Sequence, residues 1–210
     1  MMDAYPVVHI VDDDDAVRDS LEVLLRVQGY RTRAFAAGES FLAHIGPEDR
    51  GCVLLDLRMP GMQGADVLAA LRERGIALPV IVLTAHGDAA SARDALKTGA
   101  FDFLEKPVDH RTLLATIEAA HHSDHASRAA QRRRADLASR FARLTRRERE
   151  VLEHVVAGRQ NREIGALLGI SPRTVEVYKA RILDKLQVSR LPEAMRLALE
   201  AGIGGAEPTA

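Results

Sequence analysis

Long apolar runs and cysteine are the scarcest features of this 210-residue chain. No stretch approaches the roughly 20 apolar residues that a membrane helix needs. The opening MMDAYPVVHI lacks the basic segment that precedes the apolar core of a signal peptide. The sequence therefore predicts a soluble, cytoplasmic protein with no membrane partner. A single cysteine, Cys52, excludes a disulfide framework within the chain. It opens the apolar CVLL and reads as a small buried hydrophobe. Glycine and proline are missing from SDHASRAAQRRRADLASRFA, residues 123–142, whose Ala- and Arg-rich text favours helix over a flexible tether. Nothing in the spacing of His121, His122 and His125 fixes a metal, and they read as a solvated helix end.

Net charge is nearly absent at −1, but it is unevenly spread. Residues 1–122 carry 12 Lys and Arg against 19 Asp and Glu, whereas residues 123–210 carry 17 against 11. An acidic front and a basic back predict two modules, the second suited to a polyanion. The length accommodates both, and 47% hydrophobic residues can build a core for each.

The front half alternates apolar runs with helical patterns five times. VVHIV at 7–11 is continuously apolar, as in a strand buried on both faces. Val17, Leu21, Leu24 and Leu25 then recur at helical spacing up to Gly29. The same rhythm gives strands YRTRAF, CVLL, PVIVL and FDFLE, with helices near 38–45, 65–74, 88–98 and 109–121. It predicts an α/β fold, a doubly wound five-stranded parallel sheet over residues 6–122. Ligands in such sheets bind beyond the carboxyl ends of the strands. Asp12, Asp13, Asp56, Thr84 and Lys106 fall there, whereas Asp14 and Asp15 read as solvated loop groups.

A carboxylate oxygen can attack phosphorus only when the charge on the phosphoryl oxygens is neutralised, and Mg²⁺ held by carboxylates does this well. Asp56 is the candidate nucleophile. Asp13 and Asp56, with Asp12 in the outer network and the Arg58 carbonyl, are the candidate metal site. Lys106 balances charge and the Thr84 hydroxyl reaches a phosphoryl oxygen.

After a helical linker over 123–139, residues 140–205 read as four helices. Thr145 and Glu148 have capping-box spacing, Asn161 is a candidate cap for REIGALLG, and Ser171 with Pro172 starts PRTVEVYKARILDKL. The tight turn around Gly169–Ser171 makes a helix-turn-helix. Val175, Ile182 and Leu186 suit a core, which leaves Arg173, Thr174, Glu176, Val177, Lys179, Ala180 and Arg181 as candidates to face a major groove. Arg173 and Lys179 are candidate phosphate anchors. Glu176 either accepts from cytosine N4 or pairs on the helix surface with Lys179. The apolar positions of 191–201 suit packing on the module or joining a second copy.

HIVDDD, DLRMPGMQG, TAHGD, GAFDFLEKP, LTRREREVL, AGRQNREIG and ISPRTVEVYKARI occur in that order over nearly the whole chain. Together they resemble a response-regulator receiver domain followed by the helix-turn-helix of the LuxR/NarL class, in the FixJ-type subfamily. The resemblance implies a flavodoxin-like receiver and a transcription regulator that turns over no external substrate. It makes Asp56 the phospho-acceptor, Asp12 and Asp13 the acid pair, Thr84 and Phe103 the switch pair, and Lys106 the charge sensor. Pro107 falls at the family's cis-proline. The implied partners are a sensor histidine kinase, double-stranded DNA and a second copy of the chain when phosphorylated, with RNA polymerase a further candidate. Tyr178 stands where many relatives carry His, and Ala85 where FixJ-like chains commonly carry Gly. Alanines early in the helix near 88–98 depart from the larger residues of closer relatives at the expected dimer surface.

Overall fold

The computed structural model describes residues 7–84 and 96–203. The chain divides into two compact units, Met1–Arg128 and Ala129–Ala210. The first contains β1 (Val7–Val11), α1 (Asp15–Val27), β2 (Arg31–Phe35), α2 (Gly38–His44), β3 (Cys52–Asp56), α3 (Gly64–Glu73), β4 (Val80–Thr84) and β5 (Asp102–Glu105). Helix α4 starts at His110 and runs to Ala142. Ala85 and most of the helix expected near 88–98 lie outside the described residues.

The strands form one parallel sheet in the order β2-β1-β3-β4-β5. The order reverses direction between β1 and β3, and this opens a crevice at their carboxyl ends. Alternate side chains feed two cores. Val11, Val53, Leu55 and Val82 pack with Phe41, Val67 and Leu71 of α2 and α3. Val8, Ile10, Leu54, Ile81 and Leu83 pack on the other face with Leu25 of α1 and Leu113 and Ile117 of α4. Burying side chains of this size contributes about 1.5–3 kcal/mol each.

Helix boundaries follow local chemistry, with some departures from the expectations. Asp14 is exposed, as expected, and also caps α1, accepting from the backbone N–H of Ala16 at 2.8 Å. Asp15 pairs with Arg18. No stop falls at 121, because no glycine or proline interrupts α4 over its 33 residues. None of the described helices is long and apolar enough to cross a membrane.

His121 is not at a solvated helix end. It is 8% exposed, with Nε2 3.7 Å from Cys52 Sγ and its ring stacked on Tyr30. Helical spacing from Leu113 and Ile117 turns it onto the sheet. Burial pushes its imidazole down to about 4 and the Cys52 thiol up to about 12. One turn on, buried Asp124 pairs with Arg128 at 2.7 Å, and the Arg128 guanidinium also donates to the Asp49 carbonyl.

The second unit holds α5 (Arg146–Val156), α6 (Asn161–Leu168), α7 (Pro172–Leu186) and α8 (Leu191–Glu200). Val151, Leu152, Ile164, Val175, Ile182, Leu186, Ala194 and Leu197 share one core with Leu137 and Phe141 from the end of α4. Packing on this core therefore occupies the inner face of α8. Ser171 caps α7 and Pro172 is its first residue, as anticipated. The cap of α6 is Gln160, whose N–H donates to Glu163 at 2.7 Å, and Asn161 is the first helical residue. A Cβ on Gly165 would meet the Ile170 carbonyl at 2.7 Å, so only glycine lets α6 and the turn approach this closely.

Glu148 is the buried carboxylate of this unit. It accepts from the Thr145 N–H and hydroxyl and from Lys185 Nζ, each at 2.7–2.9 Å. Burial alone would raise its pKa, but the Lys185 and Thr145 hydrogen bonds outweigh it and hold the carboxyl below its usual range. The contact ties the start of α5 to the end of α7.

The His121 environment sets a pH dependence. Its folded value of about 4 lies below the ordinary 6.5, so between these values the unfolded chain binds a proton that the folded chain refuses. That stability is fully present above pH 6.5 and is lost as pH falls toward 4. Urea unfolding of the first unit is expected to show a larger loss between pH 7 and pH 5 in the native sequence than in His121→Gln. Equal losses would exclude His121 as a source.

Candidate functional site

The register brings four strand ends to one edge. Val11 pairs with Leu55, Asp56 with Leu83, and Thr84 with Glu105. Asp12 therefore follows β1 beside Asp56 at the end of β3, with Thr84 and Lys106 at the ends of the next two strands. Asp12 is 1% and Asp56 8% exposed, while Asp13 is exposed.

Asp12 and Asp56 are held by the backbone around them. The Asp12 carboxylate accepts from the Asp14 N–H at 3.0 Å, and its carbonyl accepts from Arg18 Nη1 at 2.6 Å. Beyond Asp56, the chain loops through the exposed Arg58 and returns at Gly64, whose N–H donates to the Leu57 carbonyl at 3.0 Å. A Cβ on Gly64 would sit 2.4 Å from the Asp56 carbonyl, so glycine is required where α3 begins directly over the end of β3.

Lys106 connects the parts. Its Nζ lies 2.7 Å from Asp12 Oδ2 and 3.5 Å from Asp56 Oδ2, and its backbone N–H donates to the Thr84 carbonyl at 2.7 Å. The Lys106–Pro107 peptide is cis. Burial pushes the Asp56 pKa up, Lys106 pulls it down, Asp12 pushes it up again, and a backbone hydrogen bond from Arg58 lowers it, for a net rise. Burial would depress the Lys106 pKa, but the Asp12 hydrogen bond and the charges of Asp12 and Asp56 prevail and raise it. The Asp56 shift is set first by burial, and the Lys106 shift by the two carboxylates around its ammonium.

One oxygen from each of Asp12, Asp13 and Asp56 lies within 4.8 Å of the other two. Three hard carboxylate donors at a half-open edge fit a hydrated divalent cation of the Mg²⁺ type. Thr84 is buried at the end of β4, and Phe103 on β5 is 37% exposed.

In the second unit, Arg173, Glu176, Val177, Ala180 and Arg181 of α7 are exposed. Val175, Ile182 and Leu186 are buried on its opposite face. Thr174 is half-buried and its hydroxyl lies 2.8 Å from Ser171 Oγ. Lys179 is also half-buried and donates to Asn161 Oδ1, while Asn161 Nδ2 donates to Glu176 Oε1 at 2.8 Å. Glu176 and Lys179 thus meet through a third residue, which the sequence alone suggested only as a cap.

Comparison with known proteins agrees with both units. Residues 8–118 match the family described as response regulator receiver domain, and residues 142–198 match bacterial regulatory proteins, luxR family. The chain is 44% identical to the transcriptional regulatory protein FixJ of Azorhizobium caulinodans over 95% of each chain. It is 41% identical to that of Rhizobium meliloti over 94% of this chain and 97% of the other. Among solved structures, the response regulator StyR aligns with a TM-score of 0.86 at 38% identity, over 94% of this chain and 100% of that one.

The crowding of carboxylates around one ammonium has a measurable consequence. Lys106→Met is expected to lower stability at neutral pH by roughly 1–3 kcal/mol, since a charged hydrogen bond is lost and repulsion is left behind. Added Mg²⁺ should raise the melting temperature of Lys106→Met more than that of the native sequence, because the competing cation is gone. Equal shifts would mean that Mg²⁺ and Lys106 do not share the same carboxylates.

Proposed function

The chain belongs to the two-component response regulators that join a receiver domain to a LuxR-type DNA-binding domain, and on that premise we propose that a sensor histidine kinase phosphorylates Asp56 to promote dimerisation and DNA binding. The reading rests above all on the meeting of Asp12, Asp13, Asp56 and Lys106 at one sheet edge.

In the proposed transfer, an Asp56 carboxylate oxygen forms a bond to phosphorus in line with the bond that breaks. The imidazole nitrogen of the kinase leaves with that electron pair, and Asp56 becomes an aspartyl phosphate. Asp12, Asp13 and Asp56, with the Arg58 carbonyl, would hold Mg²⁺, which when bound neutralises charge on the phosphoryl oxygens. The Lys106 ammonium, already 3.5 Å from Asp56, pairs with a phosphoryl oxygen, and the Thr84 hydroxyl donates to another. Because the Lys106 backbone is bonded to Thr84, the two respond together.

Thr84 drawn toward the phosphoryl group leaves room for Phe103 to turn inward, and this reshapes the face that carries β5. Dimerisation on that face brings two α7 helices to half-sites about one DNA turn apart, roughly 34 Å. On each half-site Arg173 and Lys179 anchor phosphates, and Thr174, Glu176, Val177, Ala180 and Arg181 face the major groove. RNA polymerase is the proposed partner of the DNA-bound dimer. The chemistry is confined to the chain's own aspartate, with no external substrate turned over.

Treatment with a small phosphodonor and Mg²⁺, read by intact mass and solution size, tests this. The native sequence is expected to gain one phosphoryl adduct and shift from monomer to dimer, and Asp56→Asn to do neither. An adduct without a size change would overturn phosphorylation-driven dimerisation. No adduct on the native sequence, with a known receiver labelled in parallel, would overturn the acceptor assignment.

A further inference from the structure

Asn161 lies outside α7, yet its side-chain amide is used at both ends by residues of that helix. Its Nδ2 donates to Glu176 Oε1 at 2.8 Å, and its Oδ1 accepts from the Lys179 ammonium. Asn161, Pro172, Arg173, Glu176, Val177 and Ala180 line one shallow, open groove of about 570 Å³ on the exposed side of the helix. The amide does not serve the fold of its own helix, since Gln160 and Glu163 form the cap of α6.

An exposed carboxylate on a DNA-reading helix meets two difficulties. It is repelled by phosphates, and a freely rotating Glu loses conformational entropy when fixed against a base edge. The Asn161 amide reduces both. It holds Oε1 in place before DNA arrives and leaves Oε2 available as an acceptor. It also brings the Lys179 charge to the far end of the same amide, so that the three side chains are neutral as a group. A carboxamide is suited to this because it donates at one end and accepts at the other.

We propose that Asn161 is a specificity-determining positioning residue, which orients Glu176 so that its second oxygen accepts from the exocyclic amino group of a cytosine in the major groove. Glu176 is the group that touches the base, and Asn161 acts through it. In the same arrangement Lys179 is the counter-charge of Glu176 before it is a phosphate anchor. The inference rests on the DNA-reading role of α7 given above.

The test is selection of binding sites from a random pool of duplexes by the full chain, treated with phosphodonor and Mg²⁺. It compares the native sequence with Asn161→Ala, Glu176→Ala and the double variant, and the melting temperature of each is recorded. The native sequence is expected to enrich a site containing a preferred cytosine. Asn161→Ala and Glu176→Ala should each weaken preference at that one position by about tenfold, the scale of a lost base contact. Preferences elsewhere should persist, and melting temperatures should stay close to native. The double variant should be no worse at that position than Glu176→Ala alone, because the effects run through one contact. The proposal is overturned if Asn161→Ala keeps the preference that Glu176→Ala loses, or if Glu176→Ala loses no cytosine preference. It is overturned equally if Asn161→Ala weakens all sequences alike with a lower melting temperature, since the amide then only fastens α6 to α7. If the native sequence enriches no site, the DNA-reading role itself fails, and this inference with it.

Discussion

A single ammonium among carboxylates is the constraint on which the first unit turns. Parallel strands ending in register at a topological reversal collect their terminal side chains at one edge, and here those side chains are acids. Asp12 and Asp56, both buried, would repel across a medium less polar than water. Lys106 bonds to Asp12 at 2.7 Å and sits 3.5 Å from Asp56, while its own N–H is fixed on the Thr84 carbonyl. The cation is therefore part of the sheet as well as part of the site. Any group that changes the charge at Asp56 changes the balance around Lys106, and through Lys106 the ends of β4 and β5.

The second unit solves a related problem with the same pair of charges. Glu148 is buried, and burial of a carboxylate is unfavourable unless donors converge on it. Two come from Thr145 in the capping box and a third from Lys185 near the end of α7. Lys185 also stands in the last turn of α7, where a cation is favoured by the helix dipole. A capping device that normally organises one helix end here fixes the entry of α5 and the exit of α7 together.

The sheet, its order of elements and the acidic edge were legible in the sequence because parallel strands appear as apolar runs and their ends carry the chemistry. VVHIV, CVLL and PVIVL became β1, β3 and β4 to within a residue or two. The core of α7 was legible for a similar reason, since Val175, Ile182 and Leu186 repeat at helical spacing. What escaped depended on tertiary neighbours. Asn161 resembled a cap because Asn is a favoured cap residue, and nothing local reveals Glu176 and Lys179 across the turn. Gln160 took the cap instead, with Glu163 three residues on. The burial of His121 did leave a trace: Leu113, Ile117 and His121 are spaced by four residues on α4. The neighbouring exposed His122 and His125 masked it by suggesting a polar cluster.

The arrangement of α7 separates the face that holds the helix from the face that it exposes. Its inner face is fixed by Val175, Ile182 and Leu186, and its last turn by the Lys185–Glu148 pair. Its exposed face is organised by a different residue, Asn161, whose helix is already capped without it. A helix held only by its exposed face would lose stability whenever that face changed. Here the buried anchors lie on the opposite side from Arg173, Glu176, Val177 and Ala180. Substitutions of the exposed groove residues leave the core and the Lys185–Glu148 pair untouched, and surface changes of this kind usually shift stability by only about 0.5 kcal/mol. The physical separation of the two faces allows one stable scaffold to present different exposed surfaces.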